Sequence, residues 1–125
     1  MYALGIDGGG SHTRALLCDT LGQIIGQGFS GGTNPRTSAT KELKAHLQEA
    51  IEQATRSIDC SKIITAHFGL AGAGEADTMA KVRTITKELL GKQTACTIGH
   101  DLEIALAGGL ANKTGIVLVA GTGSA

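Results

Sequence analysis

The chain has 125 residues, and its eleven basic side chains balance eleven acidic ones, so no net field draws it to nucleic acid or to an anionic membrane. Two Phe, one Tyr and no Trp leave nothing from which to build a base-stacking platform. Glycine stands out at 19 residues, roughly twice its usual share of ~7%, and its clusters fall between patterned segments, where backbone approaches something closely.

In chain order, YALGID (2–7), HTRALLC (12–18) and QIIGQGF (23–29) are three short apolar runs joined by glycine-containing turns, the pattern of an antiparallel meander. The period then changes. Leu43, Leu47, Ala50, Ile51, Ala54 and Ile58 recur at three- and four-residue spacing and predict an amphipathic helix, with Thr37 or Ser38 as N-cap. A buried strand is expected over 62–69. A second helix follows, with Asp77 as N-cap, Met79, Val82, Ile85 and Leu89 as its stripe and Gly91 at its end. A strand at 94–99, a helix at 101–111 and an apolar strand at 115–120 complete the order βββαβαβαβ. This is one α/β domain with a mixed sheet, an antiparallel three-strand meander followed by parallel βα units. The chain stops at GTGSA, directly after a strand, which reads as a fragment of a longer protein.

Cys18, Cys60 and Cys96 are odd in number and widely spaced, as expected for free thiols in a reducing cytoplasm. No apolar stretch approaches 18 residues and the N-terminus lacks a signal-peptide pattern, so a soluble, cytoplasmic protein is expected.

Asp7-Gly8-Gly9-Gly10-Ser11 is the first candidate site. A dinucleotide fingerprint runs from a strand into a helix, whereas this loop leads into a strand, and no G-x-x-x-x-G-K-[ST] is present. What remains is either an ordinary hairpin or a loop whose backbone N–H groups converge on an anion, with Ser11 and Thr13 as added donors. Asp7 could hold Mg²⁺ through water. Gly121-Thr122-Gly123-Ser124 repeats the glycine-plus-hydroxyl pattern after the last strand, which suggests a polyphosphate held from two sides. Between these loops Asp101 opens a predicted helix, either as its N-cap or as a general base that takes a proton from a substrate hydroxyl. His100 reads as a packing residue. Asn34 offers an amide donor and acceptor suited to sugar hydroxyls or an acetamido group, or else serves the turn before Pro35. The GLAGAG loop (69–74) follows a strand and can face the same cleft.

GIDGGGSHTRALLCD, GTNP, GLAGAG, HDLEIAL and GIVLVAGTGS, in this order and spanning essentially the whole chain, resemble the BadF/BadG/BcrA/BcrD ATPase-like family, in particular its N-acetylglucosamine and glucosamine kinase branch. The resemblance implies a ribonuclease H-like (actin-like ATPase) lobe, with residues 1–125 as the N-terminal lobe and the second, adenosine-holding lobe absent. It implies an ATP-dependent amino-sugar kinase using Mg²⁺, with transfer to the 6-hydroxyl, no nucleic-acid or membrane partner, and room for a homodimer. Gly8, Gly9, Gly10, Ser11 and Thr13 match the first phosphate loop, and Ser11 keeps the hydroxyl where the family usually has Thr. Gly121, Thr122, Gly123 and Ser124 match the second loop, Asp101 the catalytic base, and Asn34 and Gly72 positions that contact the amino sugar. Two other classes stay open. One is an ATPase that activates a dehydratase or reductase through an iron–sulfur cluster, though such proteins typically show DIGGQD where this chain has VAGTGS. The other is a non-catalytic amino-sugar sensor.

Overall fold

The computed structural model describes residues 1–99. Strands β1 (Tyr2–Gly8), β2 (His12–Cys18) and β3 (Ile24–Gly31) form the expected meander. Helix α1 (Thr40–Ala54), strand β4 (Ile63–Leu70), helix α2 (Ala76–Leu90) and strand β5 (Ala95–Gly99) follow. The sheet order is β3-β2-β1-β4-β5, with β1 antiparallel to β2, β2 antiparallel to β3, and β1–β4 and β4–β5 parallel. The helix predicted at 101–111 and the strand at 115–120 lie outside the described residues, as do His100, Asp101 and Gly121 to Ser124.

Alternation decides which face of the sheet is buried. Leu4 and Ile6 of β1, Ala15 and Leu17 of β2, and Ala66, Phe68 and Leu70 of β4 form one core with Leu43, Leu47, Ala50, Ile51 and Ala54 of α1 and Val82, Ile85 and Leu90 of α2. On the opposite face Arg14 and Phe29, partners across β2 and β3, stand exposed, the guanidinium 6.0 Å from the ring centroid.

The glycines at 26 and 28 serve this packing. A Cβ on Gly26 would strike the backbone carbonyl of Ala54, and one on Gly28 that of Ala50. Two glycines two apart on a strand therefore face two alanines four apart on a helix, and α1 lies flush on β3. The close approach inferred from this glycine cluster is the approach of a helix.

The helix ends differ from expectation. Residue Ala39, with no side-chain cap, precedes α1; Thr37 and Ser38 instead donate their amides to the Asn34 carbonyl in a tighter turn. Helix α1 stops before Ile58, with Thr55 as its C-cap, whose amide and hydroxyl both donate to the Ile51 carbonyl. Glu75 is the N-cap position of α2, with Asp77 inside its first turn. Met79 and Leu89 are only half-buried, and Thr78 and Thr86 take fully buried places on that helix. Gly91 ends α2 with φ 81°, as predicted. The three cysteines are free, and burial pushes the Cys96 thiol pKa up, against a smaller lowering by the Thr86 hydroxyl. No helix among the described residues is long and apolar enough to cross a membrane.

Candidate functional site

Strands β1, β3, β4 and β5 all run the same way, so the segments that follow them emerge along one edge of the sheet. Ligands of open α/β sheets bind at this carboxyl edge. Asp7 of β1 is in register with Gly69 of β4, and Gly69 with Gly99 of β5, so three strand ends form one row.

Loop 8–11 is built with a polarity. The Gly9 amide donates to the His12 carbonyl at 2.8 Å and closes the hairpin. The Gly8 carbonyl accepts from Ala71 N at 2.8 Å, and the Gly9 carbonyl accepts from Thr33 N at 3.0 Å. These two acceptors are therefore satisfied by the neighbouring loops, while the amides of Gly10 and Ser11 meet no acceptor among the described residues. Unspent amides in a glycine loop are what an anion-binding concavity consists of.

The three glycines do different things. A Cβ on Gly8 would run into the Thr33 hydroxyl and would sit 2.6 Å from Leu70 Cδ2, so Gly8 is required by packing. Gly9 would make only ordinary contact, at 3.6 Å from the His12 carbonyl oxygen. Around Gly10 nothing lies within 4 Å. Gly32, in the loop after β3, lets that loop touch the Gly10 carbonyl.

Ser11 is exposed beside these amides, but Thr13 is placed inside the sheet. Its hydroxyl donates to the Gly31 carbonyl at 2.8 Å and, having spent its proton, accepts from Thr33 Oγ1 at 2.7 Å. In this geometry Thr13 fixes the loop after β3 and offers no free donor. Thr13→Val would strand the Gly31 carbonyl and the buried Thr33 hydroxyl together, and a denaturant melt is expected to show a loss of about 1–3 kcal/mol. A variant that melts like wild type would remove the structural role.

Asn34 and Gly72, two loops apart in sequence, are brought together. Gly72 has φ 81°, and a Cβ there would strike Asn34 Oδ1. That oxygen accepts from Arg36 N at 2.9 Å, so Asn34 does serve the turn before Pro35 and Arg36. Its amide nitrogen has no partner among the described residues. Arg36 and Glu75, both 58% exposed, form an ion pair at 3.3 Å between the two loops. A cavity of about 340 Å³ lies beside them, lined by Pro35, Arg36, Glu75, Asp77, Thr78 and Lys81. A slightly larger one, about 380 Å³, lies between α1 and α2, lined by Lys44, Gln48, Glu88 and neighbours, none of them in these loops.

Asp7 is exposed at the end of β1, directly before the loop. No cluster of three His, Cys, Asp or Glu exists among the described residues. One carboxylate beside a loop with unspent amides fits Mg²⁺ if that loop holds phosphate, since Mg²⁺ keeps waters and takes one or two protein carboxylates plus phosphate oxygens. Sequence reasoning passed over Thr33 and Lys81. Nothing local marks either, since each acts on a segment far away in the chain.

The sequence profile described as the BadF/BadG/BcrA/BcrD ATPase family matches residues 4–125. An N-acetylmuramic acid/N-acetylglucosamine kinase of Clostridium acetobutylicum is 33% identical over 128 residues, an alignment covering 98% of this chain and 40% of that protein. An N-acetyl-D-glucosamine kinase of Dictyostelium discoideum is 29% identical, with 96% and 41% covered. A glucosamine kinase of Vibrio cholerae is 29% identical, with 98% and 42% covered. The chain thus spans about two fifths of the length of these relatives. A crystal structure from Porphyromonas gingivalis, provisionally designated an N-acetylglucosamine kinase, superposes with a TM-score of 0.68 at 20% identity, covering 85% of this chain and 38% of that one. The shared fold is that of an actin-like ATPase lobe.

Proposed function

The chain belongs to the BadF/BadG/BcrA/BcrD ATPase family, and from that premise we propose that it is the N-terminal lobe of an ATP-dependent amino-sugar kinase. The observation that carries this reading is the polarity of loop 8–11, with carbonyls bonded inward, the Gly10 and Ser11 amides unspent and open space over Gly10. Such backbone suits a phosphate, and Ser11 adds a hydroxyl. Asn34, two residues beyond the Gly32 that touches Gly10, offers its amide to a sugar. The relatives named above act, by their names, on N-acetylmuramic acid, N-acetylglucosamine or glucosamine, and an amino sugar is common to all three.

In the complete protein Gly121, Thr122, Gly123 and Ser124 contact the phosphates from the second side. Asp101 takes the proton from the accepting hydroxyl, the 6-hydroxyl by resemblance. Asp7 would be the residue to hold Mg²⁺, whose chemistry there would be to neutralise charge on the phosphoryl group being transferred. The enzyme works in the cytoplasm, where ATP is available.

The test is ADP release by the full-length protein with Mg²⁺, ATP and each amino sugar in turn. Hydrolysis that no amino sugar accelerates would overturn the kinase reading and favour an ATPase activator. Gly10→Ala sharpens it. With nothing within 4 Å and no positive φ, the added methyl should cost no stability and should favour folding by about 0.4–1 kcal/mol, because it narrows the unfolded ensemble. It should nonetheless raise the KM for ATP by roughly tenfold, equivalent to about 1.4 kcal/mol, because a methyl stands where the phosphate approaches. An unchanged KM would show that no ligand comes close to this backbone.

A further inference from the structure

The two loops that meet at Asn34 and Gly72 are held in unequal ways. The Gly72 side is fixed by the sheet itself, through Ala71 N to the Gly8 carbonyl at 2.8 Å and Ala73 N to the Leu70 carbonyl at 3.2 Å. The Asn34 side belongs to a longer loop, residues 32–39, whose beginning is tied down by Thr33 and whose remainder is a turn closed on Asn34 by the amides of Arg36, Thr37 and Ser38, with no bond of its own to the sheet among the described residues. Across that span reaches Lys81, from the second turn of α2. Its ammonium donates to the Pro35 carbonyl at 3.2 Å and to the Ser38 carbonyl at 3.3 Å, 46 and 43 residues away in sequence.

These carbonyls bracket the turn that presents Asn34. Lys81 is half-buried and, among the described residues, forms no ion pair, so its charge is spent on the loop backbone. Hydrogen bonds from an ammonium are roughly twice as strong as neutral ones. The other side-chain tie between these segments, Arg36 to Glu75, is an exposed ion pair, the kind that contributes little. Loop 8–11 meets the clamped loop at its anchored beginning, where Thr33 is fixed by Gly9 and Thr13, and its other bonds run to Ala71 and His12, so none of them passes through the carbonyls that Lys81 holds.

We propose that Lys81 is a positioning residue for the sugar: by clamping the Pro35 and Ser38 carbonyls it holds Asn34 against Gly72, and so sets amino-sugar affinity without touching sugar or ATP. The proposal rests on the kinase reading above for its ligand, and on the contacts alone for the clamp.

Two measurements on the full-length protein test it. In Lys81→Met the KM for the amino sugar should rise roughly tenfold, while kcat and the KM for ATP stay within about twofold, and Lys81→Arg should restore most of the loss. Lys44→Met is the control: it removes the 2.7 Å ion pair between Lys44 of α1 and Glu88 of α2, away from loop 32–39, and should leave both KM values unchanged. An unchanged sugar KM in Lys81→Met, or equal rises in both KM values, overturns the proposal. Hydrogen exchange separates the clamp from the kinase reading, because it needs no substrate. Faster exchange confined to the turn amides at 34–38 in Lys81→Met supports the clamp even in a protein that phosphorylates no amino sugar, and unchanged exchange there overturns it.

Discussion

Asp101→Ala in the full-length protein is expected to lower sugar-dependent turnover by about 10²–10⁴-fold, the usual contribution of a general base. The expectation comes from the row of strand ends. Gly99 is in register with Gly69, and Gly69 with Asp7, so the chain leaves β5 two strands away from the start of loop 8–11. Neighbouring strands are about 4.8 Å apart, which puts the exit from β5 about 10 Å from Asp7, on the same edge of the sheet. Asp101 comes two residues after that exit. A carboxylate needed only as a helix cap would behave differently: its loss would cost about 1 kcal/mol of stability and leave turnover per folded molecule nearly intact. Turnover measured alongside a melt therefore decides between the two roles. Asp101→Asn adds a second check, since Asn is a good N-cap but a poor base; it should preserve stability while turnover falls as far as in the alanine variant.

Gly28→Ala should be among the most destabilising single-methyl changes available in the described residues, by about 2–3 kcal/mol or more. Two effects oppose each other. Replacing glycine narrows the unfolded ensemble, which favours folding by about 0.4–1 kcal/mol where the new residue fits. Here it does not fit, because the methyl meets the Ala50 carbonyl, helix backbone that cannot rotate away. Helix α1 would have to lift off β3 and loosen the contacts of Ala50 and Ala54. The overpacking cost exceeds the entropic gain. A denaturant melt of Gly28→Ala beside Gly10→Ala, chemically the same change in open space, measures the difference, and equal midpoints would refute the packing account.

That comparison also marks what the sequence could and could not disclose. The switch from period-two runs to a three-and-four spacing was enough to order the elements, and the limits of β2 agree with those expected from HTRALLC. The N-cap of α1 was misassigned because Asn34 makes a competing turn that takes up Thr37 and Ser38, a choice decided by hydrogen bonds no composition rule weighs, and that of α2 lies at Glu75, two residues before the Asp77 expected. Among the described residues several clustered glycines do mark close approach, but a glycine does not say what approaches it. For Gly26 and Gly28 it is α1, for Gly8 it is Thr33 and Leu70, whereas Gly10, Gly22 and Gly74 face open space. Thr13 looked like a donor because a hydroxyl near a glycine loop is the usual pattern; its period-two position in β2 turns it inward, where Gly31 and Thr33 claim it. Lys81 and Thr33 escaped because their partners are between 20 and 46 residues away.

The seam between β3 and α1 has a mechanical consequence. Where strand glycines lie directly under helix carbonyls, backbone rests on backbone, and Gln53 fastens the seam further by bonding both the amide and the carbonyl of Phe29. Helix α1 and strand β3 therefore have little room to slide past each other, and the seam is a stiff base under the loops that stand on the rim of the sheet.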